Sequence, residues 1–149
     1  MAAETVVIES TLSPEDAYGK MIDLSRVPEW DSGISESLLS EGEPGALGTR
    51  YDLTLLGFDG QPTTAVYELT AIDEGREFTM VGTHPDFRAE DTITFEATSS
   101  GSRITYEAGL VMLADPAPVN DEQLTRIFAK LVDVVRAGLV PFFNPADES

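Results

Sequence analysis

One carboxylate stands where the pattern of a strand would place an apolar residue. The segment Phe87–Ala97 alternates between apolar and polar residues, and Asp91 falls on the apolar side, between Ala89 and Ile93. A carboxylate on a covered face is desolvated, which raises its pKa and suits it to act as a general base. Asp91 is therefore a candidate base, unless a bulge carries it to the rim of the sheet or an arginine pairs with it.

Two phenols fall on the covered faces of their strands by the same alternation. A buried phenol needs a hydrogen-bond partner, which is a protein group, a water molecule or a ligand. Tyr67 and Tyr106, together with Asp91, are the candidate catalytic residues, because all three can exchange protons with a bound molecule. If Asp91 is the base, Asp91→Asn should abolish turnover and leave binding largely intact.

Other catalytic and metal-binding patterns are missing from the sequence. It contains no cysteine and a single histidine, His84, which precedes Pro85 in a turn and is expected to be exposed to solvent. This composition argues against a zinc or other transition-metal site, and the acidic residues lack the spacing of a calcium loop. The nucleophile elbow of serine hydrolases is also missing. We expect neither a metal nor a cofactor.

Two arginines are predicted to point away from the covered face. Arg50 and Arg88 fall on the polar sides of their strands. Because a shift of one residue in strand register reverses every face, either could instead be a cation inside the fold.

The elements that position these residues are a run of strands and a long last helix. Ser13 can cap a first helix that ends near Asp23, and a second short helix over Leu24–Val27 is stopped by Pro28. Apolar residues then recur at helical spacing over Asp121–Val140, capped by Asn120 or Asp121 and ended by Pro141. Strands and helices kept apart in sequence predict an α+β fold. The candidate strands are Thr5–Leu12, Ile34–Glu41, Thr49–Leu56, Thr63–Ile72, Glu77–Thr83, Phe87–Ala97 and Arg103–Ala114.

The covered face of the sheet carries many large side chains, and the apolar stripe of the last helix can cover it. Such a set either packs solid or lines a pocket, for which roughly 300–1,000 Å³ is usual. Trp30 is predicted to close one end of this space. The residues expected to contact a ligand are Trp30, Tyr51, Leu53, Tyr67, Phe78, Met80, Phe87, Ile93, Phe95, Tyr106, Leu110, Met112, Phe128, Leu131 and Val135.

Length and charge limit the class of protein. At 149 residues the chain fits one domain over 1–149, and 27 acidic against 9 basic residues give a net charge of −18. This field repels phosphate backbones and anionic lipid surfaces, so no nucleic-acid partner is expected. No apolar run is long enough for membrane insertion, and the N-terminus lacks a secretory signal, so a cytoplasmic location is expected. The acidity serves solubility or matches a cationic partner, and the chain is a monomer or a homodimer.

Short motifs follow one another in a characteristic order along the chain: Ser13–Ala17, Asp23–Trp30, Gly48–Tyr51, Tyr67–Leu69, Ile104–Glu107 and Gly138–Leu139. This order resembles the START-related helix-grip superfamily, also called SRPBCC, and within it the polyketide cyclase/dehydrase and lipid-transport branch. The resemblance runs from about Thr5 to Phe143. It implies a curved antiparallel sheet of about seven strands around a long C-terminal helix, with two short helices after the first strand and a cavity between sheet and helix.

Three functions remain open from the sequence. The first is a binding protein for a small apolar or aromatic metabolite, such as a lipid, a polyketide or a quinone. The second is a polyketide cyclase, aromatase or dehydratase in which Tyr67, Tyr106 or Asp91 moves protons. The third is a regulatory interaction domain with a filled pocket. A carrier releases its ligand unchanged, whereas an enzyme alters the mass or absorbance of its substrate.

Overall fold

A computed structural model describes residues 1–145 as seven strands and three helices, of which the last is the longest. The last four residues of the predicted single domain, 146–149, lie outside this described part. The strands are β1 (Ala2–Ser10), β2 (Ile34–Glu41), β3 (Arg50–Leu56), β4 (Pro62–Asp73), β5 (Glu77–Thr83), β6 (Phe87–Thr98) and β7 (Gly101–Met112). The helices are α1 (Pro14–Met21), a 3₁₀ helix (Leu24–Glu29) and α2 (Asp121–Phe143).

The seven strands form one curved antiparallel sheet in the order β1-β7-β6-β5-β4-β3-β2. Strands β2 to β7 pair with their neighbours in sequence, and β1 closes the order by pairing with β7. Helix α2 packs across the inner face of this sheet, which is the arrangement of the helix-grip fold. The predicted α+β class, the strand number and the long C-terminal helix are therefore confirmed.

Most strand boundaries agree closely with the prediction, and two strands, β2 and β5, agree at both ends. The largest difference is in β1, which begins at Ala2 and ends at Ser10 rather than spanning Thr5–Leu12. The reason is the unbroken register with β7, in which Ala2 pairs with Leu110 and Ser10 with Ser102. Local alternation alone does not reveal where such pairing ends.

The helix starts are those expected, and two of the helix ends are not. Ser13 accepts a hydrogen bond from the Asp16 N–H at 3.1 Å, and Asn120 forms a capping box with Gln123. The prediction that Pro28 stops the second helix is wrong, because Pro28 lies inside the 3₁₀ helix. The fixed φ of proline, near −65°, suits 3₁₀ geometry.

The prediction that Pro141 ends α2 is also wrong, since the helix continues to Phe143. Tertiary contacts hold this last turn in place. The side chains of Phe142 and Phe143 are buried, and the Ser10 hydroxyl donates to the Phe143 carbonyl at 2.7 Å. This burial and hydrogen bond offset the backbone hydrogen bond that proline cannot make.

One end of the space between sheet and helix is filled by aromatic side chains. Tyr18 of α1 contacts Phe78 and Phe95 edge-on, with ring centroids 5.9 and 5.6 Å apart, and Phe95 contacts Phe143 at 6.5 Å. All four rings are buried. Because α1 and the end of α2 both insert here, this end of the fold is a packed core.

Candidate functional site

The other end of the space encloses a cavity of about 450 Å³ between the inner face of the sheet and α2. Leu56 and Leu131 lie on its wall and are also 65 % and 48 % exposed, which places its mouth between the end of β3 and the middle of α2. The wall residues are Val6, Asp31, Gly33, Ile34, Leu55, Leu56, Gly57, Phe58, Tyr67, Phe87, Ala89, Asp91, Tyr106, Ala108, Leu110, Ile127, Phe128, Leu131, Val132 and Val135.

Small side chains on the inner face of the sheet leave this space open. Ala89 lies two residues before Asp91 on β6, Ala108 pairs with Asp91 from β7, and both border the cavity. Helix α2 covers this part of the sheet only with apolar side chains, from Ile127 to Val135. A cavity of this size, apolar apart from a few polar groups, has the usual character of a small-molecule site.

The residues predicted to contact a ligand fall into two groups in the structure. On the cavity wall lie Tyr67, Phe87, Tyr106, Leu110, Phe128, Leu131 and Val135, together with the candidate base Asp91. Away from it, in or against the packed core, lie Trp30, Tyr51, Leu53, Phe78, Met80, Ile93, Phe95 and Met112. The members of both groups that lie on strands face inward as predicted, and their position along the groove separates the groups.

Two residues of the second group, Trp30 and Tyr51, are held away from the cavity by specific contacts. Trp30, which was predicted to close one end of the cavity, is not on its wall. Its side chain is 1 % exposed and packs edge-on against Tyr106, with ring centroids 5.8 Å apart. The hydroxyl of Tyr51 instead donates to Asp23 Oδ1 at 3.3 Å, near the start of the 3₁₀ helix. Burial and this carboxylate raise the pKa of Tyr51 to about 12.

Several wall residues were missed at the sequence level. The most informative are Asp31 and Gly33, in the turn before β2, and Phe58, in the loop after β3. Loop residues carry no periodic signal that tells which way a side chain points. A signal did exist for Ala89 and Ala108, since small residues on an inward face leave room for a ligand.

Asp91 and Tyr106 form the polar centre of the wall. Tyr106 donates its phenolic hydrogen to Asp91 Oδ2 at 2.6 Å, and both residues are buried. The register explains this contact, because Tyr106 pairs with Ile93, two residues along β6 from Asp91 on the same face. Neither alternative considered for Asp91 applies among the described residues: it is buried instead of lying at the rim, and it forms no ion pair with an arginine.

Burial sets the protonation of this pair. Desolvation raises the pKa of Asp91 to about 7, against smaller lowering effects of the Tyr106 hydroxyl and the Gly109 N–H. Asp31 and Glu90 add to the increase through their charges. The pKa of Tyr106 rises well above its ordinary value, first by burial and then by the neighbouring Asp91 charge. Near neutral pH, Asp91 can therefore take or give a proton, which a general acid–base catalyst requires.

Tyr67 reaches the same cavity from β4 because its partner in β5 is a glycine. Tyr67 pairs with Gly82, and a Cβ at that glycine would lie 2.4 Å from the tyrosine Cζ. The ring therefore lies across Gly82 and borders the cavity. Burial, followed by the charges of Asp91 and Asp31, raises the pKa of Tyr67.

Asp31 adds a second carboxylate to the wall. Its Oδ1 accepts the Gly33 N–H at 2.9 Å, a bond that closes the turn before β2 and orients the side chain. Burial raises the pKa of Asp31, partly offset by that N–H. The site thus contains two carboxyl groups and two phenols in an otherwise apolar wall.

The basic side chains considered at the sequence level lie elsewhere. Arg50 and Arg88 are on the outer face as predicted, about half exposed, and bond to Glu68 at 2.8 Å and to Glu90 at 3.4 Å. His84 was expected to be exposed to solvent, but only 10 % of its side chain is accessible. Its ring stacks on Phe87 at 4.7 Å, Nδ1 accepts the Asp86 N–H, and Nε2 lies 2.9 Å from the Thr63 hydroxyl.

Two further properties concern residues 1–145. Within this range no three His, Cys, Asp or Glu side chains come close enough together to hold a metal ion. No helix in it is long and apolar enough to cross a membrane.

Sequence comparison matches residues 1–139 to the family described as polyketide cyclase / dehydrase and lipid transport. No curated protein is similar enough in sequence to match. Among solved structures, the chain is similar to a START superfamily protein from Mycobacterium smegmatis, with a TM-score of 0.74 and 13 % identity over 96 % of each chain.

Two other solved structures extend the comparison. The chain is similar to half of StfQ, a di-domain ARO/CYC from the steffimycin biosynthetic pathway, with a TM-score of 0.71 and 12 % identity over 96 % of this chain and 50 % of that one. It is also similar to Ara h 8.0201, with a TM-score of 0.63 and 21 % identity over 92 % of this chain and 95 % of that one. At these identities the likeness establishes a shared fold.

Proposed function

This chain belongs to the polyketide cyclase/dehydrase and lipid-transport family of the SRPBCC superfamily, and we propose that it binds a small apolar or aromatic metabolite inside the fold. The single observation that carries the proposal is the cavity of about 450 Å³ under α2. Its size lies in the range of small-molecule sites, and its wall is apolar apart from one polar cluster. A lipid, polyketide or quinone-like body has the matching chemistry.

An open cavity also counts against a regulatory domain with a filled pocket. The aromatic cluster around Phe78 and Phe95 fills one end of the groove, while Ala89 and Ala108 leave the other end open. An unfilled apolar cavity costs stability, because its lining loses packing contacts. Ligand binding offsets that cost.

Native mass spectrometry of the protein purified from cells tests the proposal directly. A co-purifying apolar molecule, identified after denaturing extraction, would establish occupancy and its chemical class. Titration with Nile red, a neutral dye that fluoresces in apolar surroundings, tests the same site in vitro. A protein that carries no bound molecule and does not increase Nile red fluorescence would contradict the proposal.

Filling the cavity should weaken binding. Ala89→Leu adds three carbons at a buried wall position, so we expect Nile red affinity to fall about tenfold. The matched control is Ala71→Leu, which adds the same volume to an exposed position on β4. The measurement is the fluorescence titration of both variants. Equal affinities would show that the dye binds outside the cavity.

A second candidate function is acid–base conversion of the bound molecule, as in a polyketide cyclase or dehydratase. It is favoured by the buried Asp91–Tyr106 hydrogen bond of 2.6 Å and by the pKa of Asp91, which burial raises to about 7. In such a reaction the Asp91 carboxylate removes a proton from a methylene between two carbonyls. The resulting enolate carbon attacks another carbonyl of the same chain, and the new alkoxide takes a proton from a phenol or from protonated Asp91.

For this candidate function, Asp91→Asn should lower the rate of polyketone cyclisation by about 100-fold or more, because an amide cannot take the proton. Nile red affinity should change little, since the substitution preserves shape. Tyr106→Phe should retain more activity than Asp91→Asn, because Tyr67 also faces the cavity. The rate is followed by absorbance and product mass. Full activity in Asp91→Asn would exclude Asp91 as the base.

A further inference from the structure

The charged groups on the cavity wall are all of one sign. The wall contains the carboxyl groups of Asp31 and Asp91, and among the residues that the structure describes it contains no lysine, arginine or histidine. The outer face of the sheet differs, because there Arg50 bonds to Glu68 and Arg103 bonds to Glu9. A buried carboxylate without a counter-charge is costly, so a ligand that brings a positive charge to this wall is favoured.

The two carboxylates of this wall, when ionised, can accept hydrogen bonds but cannot donate them. Asp91 accepts from the Tyr106 hydroxyl and the Gly109 N–H, and Asp31 Oδ1 accepts from the Gly33 N–H, yet an ionised carboxylate offers about four acceptor positions. Each therefore has acceptor positions left for a ligand. A ligand with hydrogen-bond donors at its polar end satisfies them, whereas a ligand that ends in a carboxylate adds a third negative charge.

The aromatic residues of the wall strengthen the same preference. The rings of Tyr67, Phe87, Tyr106 and Phe128 all border the cavity. Aromatic faces attract cations, and the attraction grows when water is excluded. Carboxylates beside aromatic rings are a favourable environment for an ammonium group in particular, more than for a neutral alcohol.

We infer that this cavity takes a ligand with an apolar or aromatic body and a protonated amine at its polar end, which lies between Asp31 and Asp91. The inference rests on the proposed function and specifies its ligand class. The apolar body lies against α2, whose contribution to the wall is apolar from Ile127 to Val135. The ammonium group donates to the two carboxylates and faces the phenol of Tyr67.

The preference should depend on pH, because the charge on Asp91 does. The groups that face or influence it are Asp31 from the turn before β2, Tyr67 from β4, Tyr106 from β7 and Glu90 on its own strand. At about pH 5.5 Asp91 is largely protonated and at about pH 8 largely ionised. Amine binding should therefore tighten between these values, while binding of a neutral ligand stays constant.

Three probes with one aromatic body test the inference: 2-naphthylmethylamine, 2-naphthylmethanol and 2-naphthoate. Each is titrated against the Nile red complex at about pH 8 and about 0.15 M salt, which screens attraction to the acidic surface. We expect the amine to bind about tenfold more tightly than the carboxylate, with the alcohol between them.

Substitutions of the two carboxylates test whether the preference for the amine probe arises at Asp31 and Asp91. Asp91→Asn and Asp31→Asn both keep an acceptor oxygen, and each should reduce the ratio of amine to carboxylate affinity to about threefold or less while sparing the alcohol. Glu96→Gln is the matched control, because it removes one negative charge from the exposed face of the same strand, β6. It should keep the preference of the wild-type protein. Thermal melts verify that all three variants are folded.

The outcomes separate the two proposals. If the carboxylate binds as tightly as the amine while the alcohol displaces the dye, the amine inference is overturned and the proposed function stands. If the amine preference survives in both asparagine variants, it comes from the surface and the inference is again overturned. If neither Nile red nor any probe binds, both proposals fail.

Discussion

Gly138→Ala is expected to destabilise the protein by about 3 kcal/mol or more, although alanine is normally the better residue in a helix. Gly138 lies in α2, where a Cβ would be 1.9 Å from the carbonyl oxygen of Trp30 and 2.6 Å from its carbonyl carbon. These are backbone atoms that cannot rotate away. The helix must therefore move off the segment that contains Trp30, and close packing between Leu139 and the core would be lost.

The measurement is chemical or thermal unfolding, with a matched glycine as control. About 3 kcal/mol corresponds to a decrease in Tm of roughly 10 °C for a domain of this size. Gly19 lies in α1, and no atom is within 4 Å of the position that a Cβ would take there, so Gly19→Ala should instead stabilise the protein by about 0.5 kcal/mol. Equal stability of the two variants would show that α2 does not contact Trp30 as described.

The second large effect concerns the dependence of stability on pH. Burial raises the pKa of Asp91 from 3.8 to about 7 in the folded protein. A carboxyl group with a raised pKa binds its proton more tightly in the folded state than in the unfolded state. The stabilisation that this proton contributes is therefore fully present below about pH 4. That contribution is lost as the pH rises towards and through 7, because the folded state must then hold a buried carboxylate. A difference of about three pKa units corresponds to about 4 kcal/mol.

Asp91→Asn removes this titration and keeps an acceptor for the Tyr106 hydroxyl. The variant should therefore gain about 4 kcal/mol relative to wild type between pH 4 and pH 8, measured by urea unfolding at a series of pH values. Glu96→Gln, on the exposed face of the same strand, should follow the wild-type curve closely. Parallel curves for Asp91→Asn and wild type would mean that Asp91 ionises in contact with water.

The sequence predicted the environment of Asp91 better than that of Gly138. The alternation along β6 predicted that Asp91 faces inward, and the structure confirms both its face and its burial. The hydrogen bond from Tyr106 was not predicted, because it depends on the register of β6 against β7. Gly138 was noted only as part of a motif, and its close contact with Trp30 joins segments that are far apart in the chain.

The sequence by itself determined which elements form, in which order, and which of their faces turn inward. Apolar residues recur every two positions on the strands and about every 3.6 positions on α2, and this recurrence is visible in neighbouring residues. The order of the elements, the α+β class and the inward side chains were therefore predictable. Capping residues such as Ser13 and Asn120 act on the helix that immediately follows them, and both were identified.

Only the tertiary structure decided where the inward residues pack and where they leave space. Phe78 and Phe95 belong to the filled end because Tyr18 and Phe143 are brought against them from α1 and the end of α2. Tyr67 reaches the cavity because Gly82 lies opposite, on the next strand. The physical reason is that a periodic pattern reports the environment of its own element, whereas a cavity is defined by the distance between elements distant in sequence.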